Sequence, residues 1–202
     1  GGFMVYAGDD GDATTFDFRE KAPLAATEDM YLGLDGEVVD NSNHIGALAV
    51  GVPGTVAGLW EAHQKLGSLP WADLVAPAVK LAREGIPMTY SLYSGFSRSK
   101  QRFSAYPSTM AKFFKADGSD YEMGETWYQP DLAHTLELIQ NQGRDGFYKG
   151  ENAKRLADFM AANGGIITEQ DLLNYQPVER EPIRGTYRGY DIISMPPPSS
   201  GG

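Results

Sequence analysis

Apolar residues change their spacing twice along this chain, and that change limits what it can fold into more than any single motif does. At the start, Phe3-Met4-Val5-Tyr6 and Thr14-Thr15-Phe16-Asp17-Phe18 flank a turn-forming cluster, Gly8-Asp9-Asp10-Gly11-Asp12. β-Branched and aromatic runs on either side of such a cluster predict a hairpin. From Gly51 the period lengthens: Val56, Leu59, Trp60 and His63 follow the i, i+3, i+4, i+7 spacing of one helix face, with Thr55 as cap and Gly67 as stop. Leu74, Val75, Ala78, Leu81 and Ala82 continue a helical stripe to Gly85, where Pro77 removes a donor and predicts two short pieces. Tyr90 to Glu125 has no clean period and reads as irregular chain with some short helix. Pro130-Asp131 opens a helix through Leu132, Leu136 and Ile139 that ends near Gly143; another runs through Ala153, Leu156, Ala157 and Met160 to Asn163-Gly164-Gly165. Thr168 with Asp171 resembles a capping box before Leu172-Leu173, and Tyr187 to Met195 returns to strand spacing through Tyr190, Ile192 and Ile193. Strands, a helical middle and strands again make an α+β chain. Pro196-Pro197-Pro198 predicts an extended, polyproline-like exit.

Composition narrows the function classes. With 202 residues, 42% hydrophobic and 22% charged, the chain fits one globular domain with a core of its own. A net charge of -10 and no run of Lys or Arg argue against a surface that neutralises nucleic-acid phosphates or anionic lipid. The absence of cysteine excludes a disulfide framework, a thiol nucleophile and Cys-ligated metal. The longest apolar stretches fall far short of a membrane span, and no charged start with an apolar core marks a signal peptide. Gly1-Gly2-Phe3 without an initiator Met, and Gly201-Gly202 directly after a Pro/Ser run, read as ends cut from a longer chain, so a targeting signal would lie outside it.

Few residues invite a chemical reading. His44, His63 and His134 sit in different elements, and each reads as structural or surface because no spacing supplies a nucleophile–base pair. There is no Gly-x-Ser-x-Gly elbow, phosphate loop or His-Glu-x-x-His, so neither metal nor cofactor is expected. Asp9-Asp10 and Glu28-Asp29 fall in turns, where Asp is a turn former. Arg19 closes the second strand before Pro23, and its guanidinium offers a planar fork for a carboxylate. Read alone, an ordinary surface ion-pair residue is the favoured reading. Gly51-Val52-Pro53-Gly54-Thr55-Val56-Ala57-Gly58 enters a helix with three glycines, which suits close packing better than anion binding.

Six segments in order resemble one family. They are Gly1-Gly2-Phe3-Met4, Asp17-Phe18-Arg19-Glu20-Lys21-Ala22-Pro23, Gly51 to Gly58, Phe147-Tyr148-Lys149-Gly150, Asn163-Gly164-Gly165-Ile166-Ile167-Thr168 and Met195-Pro196-Pro197-Pro198-Ser199-Ser200-Gly201-Gly202. Together they are similar to the large subunit of γ-glutamyltranspeptidases (glutathione hydrolases), so that 1–202 would be one internal fragment of that subunit. The resemblance implies part of an αββα sandwich of the N-terminal-nucleophile hydrolases, made as a precursor that cuts itself into large and small subunits. It implies a nucleophilic threonine at the new N-terminus of the small subunit, with its own α-amine as base and small-subunit amides as oxyanion hole. The γ-glutamyl group of glutathione or a related compound would pass through an enzyme ester to water or an amino acid. No catalytic residue maps onto this fragment, and one substrate-binding residue does: Arg19, as the grip on the α-carboxylate. Ser199, Ser200, Gly201 and Gly202 match a structural motif, and neither Thr55 nor Thr168 matches the processing site. The implied partners are the small subunit and a small γ-glutamyl substrate, and the implied location is periplasmic or secreted. A cephalosporin-acylase-like enzyme and a truncated, non-catalytic scaffold are the alternatives.

Overall fold

The computed structural model describes residues 1–200, and by their contacts they form two compact units, 1–71 with 141–200, and 72–140. The first unit opens with the hairpin that the sequence predicts: β1 (Phe3–Ala7) pairs antiparallel with β2 (Ala13–Asp17), Phe3 opposite Asp17. Its turn closes through the Gly8 N–H on the Asp12 carbonyl at 2.8 Å, with Gly11 at a φ of 87° that side chains disfavour. A third strand, β5 (Val178–Arg180), joins the other edge of β2 across 160 residues of chain, which no local pattern announces. The middle strand β2 is therefore paired on both edges, and Thr15, Phe16 and Asp17 are all buried.

Helix α1 (Thr55–Leu66) lies against β2 and buries Ala57, Gly58 and Ala62, while Leu59 is exposed. The contact face is thus the small residues and not the large ones that set the period, because close approach to Phe18 leaves no room for larger side chains. The cap is also displaced by one residue. Gly54 occupies the N-cap position without any side-chain bond, and Thr55 is already helical, whereas Gly67 ends the helix as expected. His63 is structural: its Nε2 bonds the Leu69 carbonyl at 2.8 Å, and its ring meets those of Trp60 and Trp71.

Three further helices, α6 (Asp145–Tyr148), α7 (Gly150–Ala162) and α8 (Glu169–Asn174), complete this unit. Their core gathers Val52, Ala57, Tyr148, Ala153, Met160, Ile167, Leu172 and Tyr175. The Asn163-Gly164-Gly165 stop works by the Schellman pattern: Gly164 has a φ of 76°, and the Gly165 N–H reaches the Met160 carbonyl at 2.8 Å. The capping box is present in full, with the Thr168 side chain accepting from the Asp171 N–H and the Asp171 carboxylate accepting from the Thr168 N–H at 2.7 Å.

Asp171 does more than cap. Its Oδ1 also accepts the Leu24 N–H at 2.6 Å, which ties the chain after Pro23 to α8. Burial alone would raise this carboxyl, yet the bonds from the Thr168 hydroxyl and from the Leu24 and Thr168 amides outweigh it and hold it below the usual value. A folded-state value below the unfolded one contributes stability that is fully present above the ordinary carboxyl range and is lost as pH falls through the lower, folded value. Asp171→Asn is accordingly expected to cost about 1–3 kcal/mol near neutral pH. Acid melts should show a smaller pH dependence than wild type below about pH 4; an unchanged acid limb would mean that Asp171 is not coupled to folding.

Strands β6 (Ile183–Tyr187) and β7 (Tyr190–Ser194) form a second hairpin around Arg188-Gly189, both residues at positive φ. Ile183, Tyr187, Tyr190 and Ile192 share one face of it by register, and all are exposed, Tyr187 to 61% and Tyr190 to 73%. Beyond the buried Met195 the proline run turns where an extended exit was expected. Pro197-Pro198 is cis and the Ser199 N–H bonds the Pro196 carbonyl at 3.2 Å, the type VI arrangement. Gly201 and Gly202 lie outside the described residues.

The second unit holds all but the end residues of α2 (Trp71–Glu84) and α5 (Pro130–Gln142), together with α3 (Tyr90–Phe103), α4 (Pro107–Phe113) and a short pair β3 (Ile86–Pro87) and β4 (Thr126–Trp127). Pro77 does not divide α2; one lost bond is offset by the turns that bury Val79 and Ala82. Tyr90 to Phe113 is mostly helical where an irregular chain was expected. In α3 the apolar stripe Leu92, Phe96, Phe103 is interrupted by Ser99, which hides its period; what holds the helix is tertiary. Phe96 meets Phe113 and Trp127 edge-on at 5.1 and 5.0 Å, and Thr89 caps the start by accepting the Leu92 N–H. No helix among the described residues is long and apolar enough to cross a membrane.

Candidate functional site

Arg19 lies two residues beyond the end of β2, and its main chain is held from both sides. Asp17, the last residue of the strand and almost fully buried, accepts the Arg19 N–H on Oδ1 at 3.1 Å. Its other oxygen, Oδ2, accepts Nε and Nη2 of Arg180 from β5, each at 3.0 Å. The Arg19 carbonyl accepts the Tyr175 hydroxyl at 2.6 Å. The side chain itself is 45% exposed. It lies 6.0 Å from the Phe3 ring, and Nη2 meets the Glu20 carboxylate at 3.1 Å. The Glu20 carboxyl is lowered by its own backbone amide and then by Arg19. An exposed pair between neighbouring residues contributes little, so a second carboxylate could displace Glu20 cheaply.

Tyr175 belongs to a buried aromatic pair. Its ring stacks on Tyr148 at 5.7 Å with 14° between planes. The Tyr148 hydroxyl donates to the Pro53 carbonyl at 2.7 Å and accepts the Ala57 N–H at 3.3 Å, so it fastens the glycine-rich entry of α1. Arg144 sits over the Tyr148 ring at 4.8 Å and donates to the Tyr175 and Leu173 carbonyls at 2.6 and 3.0 Å. Burial pushes the Tyr148 phenol up to about 12, and burial, then the Tyr148, Asp17 and Glu20 charges, raise Tyr175 as well. Both are neutral donors at physiological pH, as their bonds to carbonyl oxygens require.

The glycines at 51–58 serve this packing. A Cβ on Gly54 would fall on the Tyr175 hydroxyl and the Phe18 carbonyl, one on Gly58 would fall on the Phe18 ring, and one on Gly51 would come within 2.9 Å of Glu20 Cγ. The Ala57 amide is already occupied by Tyr148. This favours the packing reading of the motif over anion binding. Of the residues around Arg19, Asp17 could have been found from sequence, since an Asp accepting from the N–H two residues on is a common turn device. Tyr175, Tyr148 and Arg180 could not, because 156 to 161 positions separate Tyr175 and Arg180 from Arg19 and no local period links them.

Solved structures define the class. The chain superimposes on γ-glutamyltranspeptidase from Helicobacter pylori with a TM-score of 0.97 and 44% identity, covering all of this chain and 58% of that one. A cephalosporin acylase from Bacillus halodurans matches with a TM-score of 0.83 and 28% identity over 96% of this chain. The fold is therefore the α+β fold of N-terminal-nucleophile hydrolases. In sequence, the glutathione hydrolase proenzyme of Pseudomonas sp. strain A14 is 46% identical over 202 residues, which is 100% of this chain and 35% of that protein. The γ-glutamyltranspeptidase family model matches residues 1–202, and the chain belongs to that family. It spans about a third of the length of this proenzyme relative.

Proposed function

We propose that this chain forms part of the large subunit of an enzyme that cleaves the γ-glutamyl amide bond of glutathione and related compounds and passes the γ-glutamyl group to water, amino acids or peptides. In that enzyme Arg19 binds the α-carboxylate of the γ-glutamyl group, and the nucleophilic threonine, its amine base and the oxyanion donors come from a small subunit of the same precursor. One observation carries the role of Arg19: a half-exposed guanidinium, already pairing with a carboxylate, on a backbone bonded at both its amide and its carbonyl. The uncovered apolar face of β6 and β7 supports the small subunit as partner, since a hairpin with Tyr187 and Tyr190 so exposed suits a surface on which another polypeptide packs. Family membership supports export to the periplasm or medium, which fractionation of cells expressing the full-length protein tests.

Arg19→Lys in the processed, full-length enzyme keeps the charge but not the fork. Charged hydrogen bonds contribute roughly 1.5–3 kcal/mol each, so kcat/KM for a γ-glutamyl donor should fall by on the order of ten- to a hundredfold, and Arg19→Gln should lower it further. Self-cleavage involves no glutamyl carboxylate, so both variants should still process. A donor whose α-carboxylate is amidated should be nearly indifferent to either change. If Arg19→Lys leaves donor kinetics as they are, or weakens acid and amide donors alike, Arg19 is a structural ion-pair residue.

A further inference from the structure

We infer that Tyr175, with Asp17, is a positioning residue for Arg19: the two side chains fix the peptide units on either side of it and so set where its guanidinium meets the substrate. The inference rests on the reading of Arg19 as the carboxylate-binding residue.

Arg19 stands where β2 has ended, and its side chain is half-exposed. A fork that must meet a carboxylate with two parallel bonds tolerates little displacement, on the order of 0.5 Å. Packing of the side chain adds little of that precision, since the Glu20 carboxylate it meets is half-exposed and the Phe3 ring beneath it lies 6.0 Å away. The precision has to come from the backbone. The Arg19 N–H is bonded to Asp17 at 3.1 Å and its carbonyl to Tyr175 at 2.6 Å. Neither anchor is itself loose. Asp17 is held by two nitrogens of Arg180 on the neighbouring strand. Tyr175 is 2% exposed, stacked on Tyr148, and bonded through its own carbonyl to Arg144. Gly54 leaves the space through which the Tyr175 hydroxyl reaches Arg19. The Tyr148–Tyr175 pair therefore links the core of α6, α7 and α8 to the one proposed substrate contact, through a single hydroxyl.

Tyr175→Phe deletes that hydroxyl and keeps the stack. In the full-length, processed enzyme the quantity to follow is the ratio of kcat/KM for a γ-glutamyl donor to that for the same donor with its α-carboxylate amidated. Loss of one neutral hydrogen bond should lower this ratio by about three- to tenfold, mainly through KM of the acid donor. In an Arg19→Gln background Tyr175→Phe should change the ratio no further, because the group it positions is gone. Asp17→Asn, which retains an acceptor for the Arg19 N–H but loses the charge facing Arg180, should lower the ratio less, and it carries the same test should Tyr175→Phe not accumulate. If Arg19→Gln lowers the ratio while Tyr175→Phe weakens both donors equally or neither, Tyr175 is merely a core residue and the inference is wrong. If Arg19→Gln itself leaves the ratio unchanged, the carboxylate reading of Arg19 falls, and this inference with it.

Discussion

Gly54→Ala and Gly58→Ala are each expected to abolish accumulation of folded protein. Alanine in a helix interior is favoured over glycine by about 1 kcal/mol, so at Gly58 propensity alone predicts stabilisation. Packing decides otherwise. The new methyl would overlap Cγ and Cβ of Phe18, a buried ring at the end of β2. At Gly54 it would overlap the Phe18 carbonyl, which is backbone and cannot swing aside, and the Tyr175 hydroxyl. Overpacking costs typically 1–3 kcal/mol and more where backbone must move, which is a large part of the roughly 5–15 kcal/mol that holds a domain together. Soluble yield and thermal melts of the full-length variants are the readout. Gly95, where a Cβ would meet nothing within 4 Å, is the control: Gly95→Ala on α3 should be neutral or slightly stabilising. Wild-type melting of Gly54→Ala would show that α1 does not sit as closely on β2 as described.

A polypeptide of these 202 residues alone is expected to turn over no γ-glutamyl anilide. On the proposed reading the nucleophile uses its own α-amine as base, which confines it to a chain N-terminus. Every threonine of this polypeptide is internal; Thr168 is occupied as a helix cap and Thr55 lies in the first turn of α1. Arg19 can pair with a carboxylate, and among the described residues its side chain meets Glu20 and Phe3, neither of which is a nucleophilic threonine. The bare face of β6 and β7 adds a physical expectation: with Tyr187, Tyr190, Ile183 and Ile192 exposed together, the isolated chain should self-associate and melt without a sharp transition. Co-expression with the remainder of the precursor should restore both solubility and turnover. Turnover above buffer by the purified 202-residue polypeptide would place a nucleophile where none is described.

Much of this is legible in the sequence alone. The first hairpin, α1, α5, α7 and the Thr168–Asp171 box follow from period and cap chemistry, because local rules decide them. Elements decided by tertiary contact were not legible. Helix α3 is held by aromatic edges that Ser99 disguises in the sequence, and α2 runs through Pro77 because later turns are buried. The proline run turns where its composition implies extension. The site divides in the same way. Arg19 can be singled out from residue type, strand end and family resemblance, but what fixes it comes from Tyr175 and Arg180, which only the fold brings near.

On the proposed reading Arg19 recognises the α-carboxylate of a γ-glutamyl group. Inhibition constants test it without any step of turnover, using the hydrolysis product glutamate and its α-amide as competitors against a γ-glutamyl donor. The processed wild-type enzyme should bind glutamate on the order of ten- to a hundredfold more tightly than the amide, as expected for one to two charged hydrogen bonds. Arg19→Gln should erase that preference by weakening glutamate alone. A preference that survives Arg19→Gln undiminished would contradict the account, because the carboxylate would then be held by some other group.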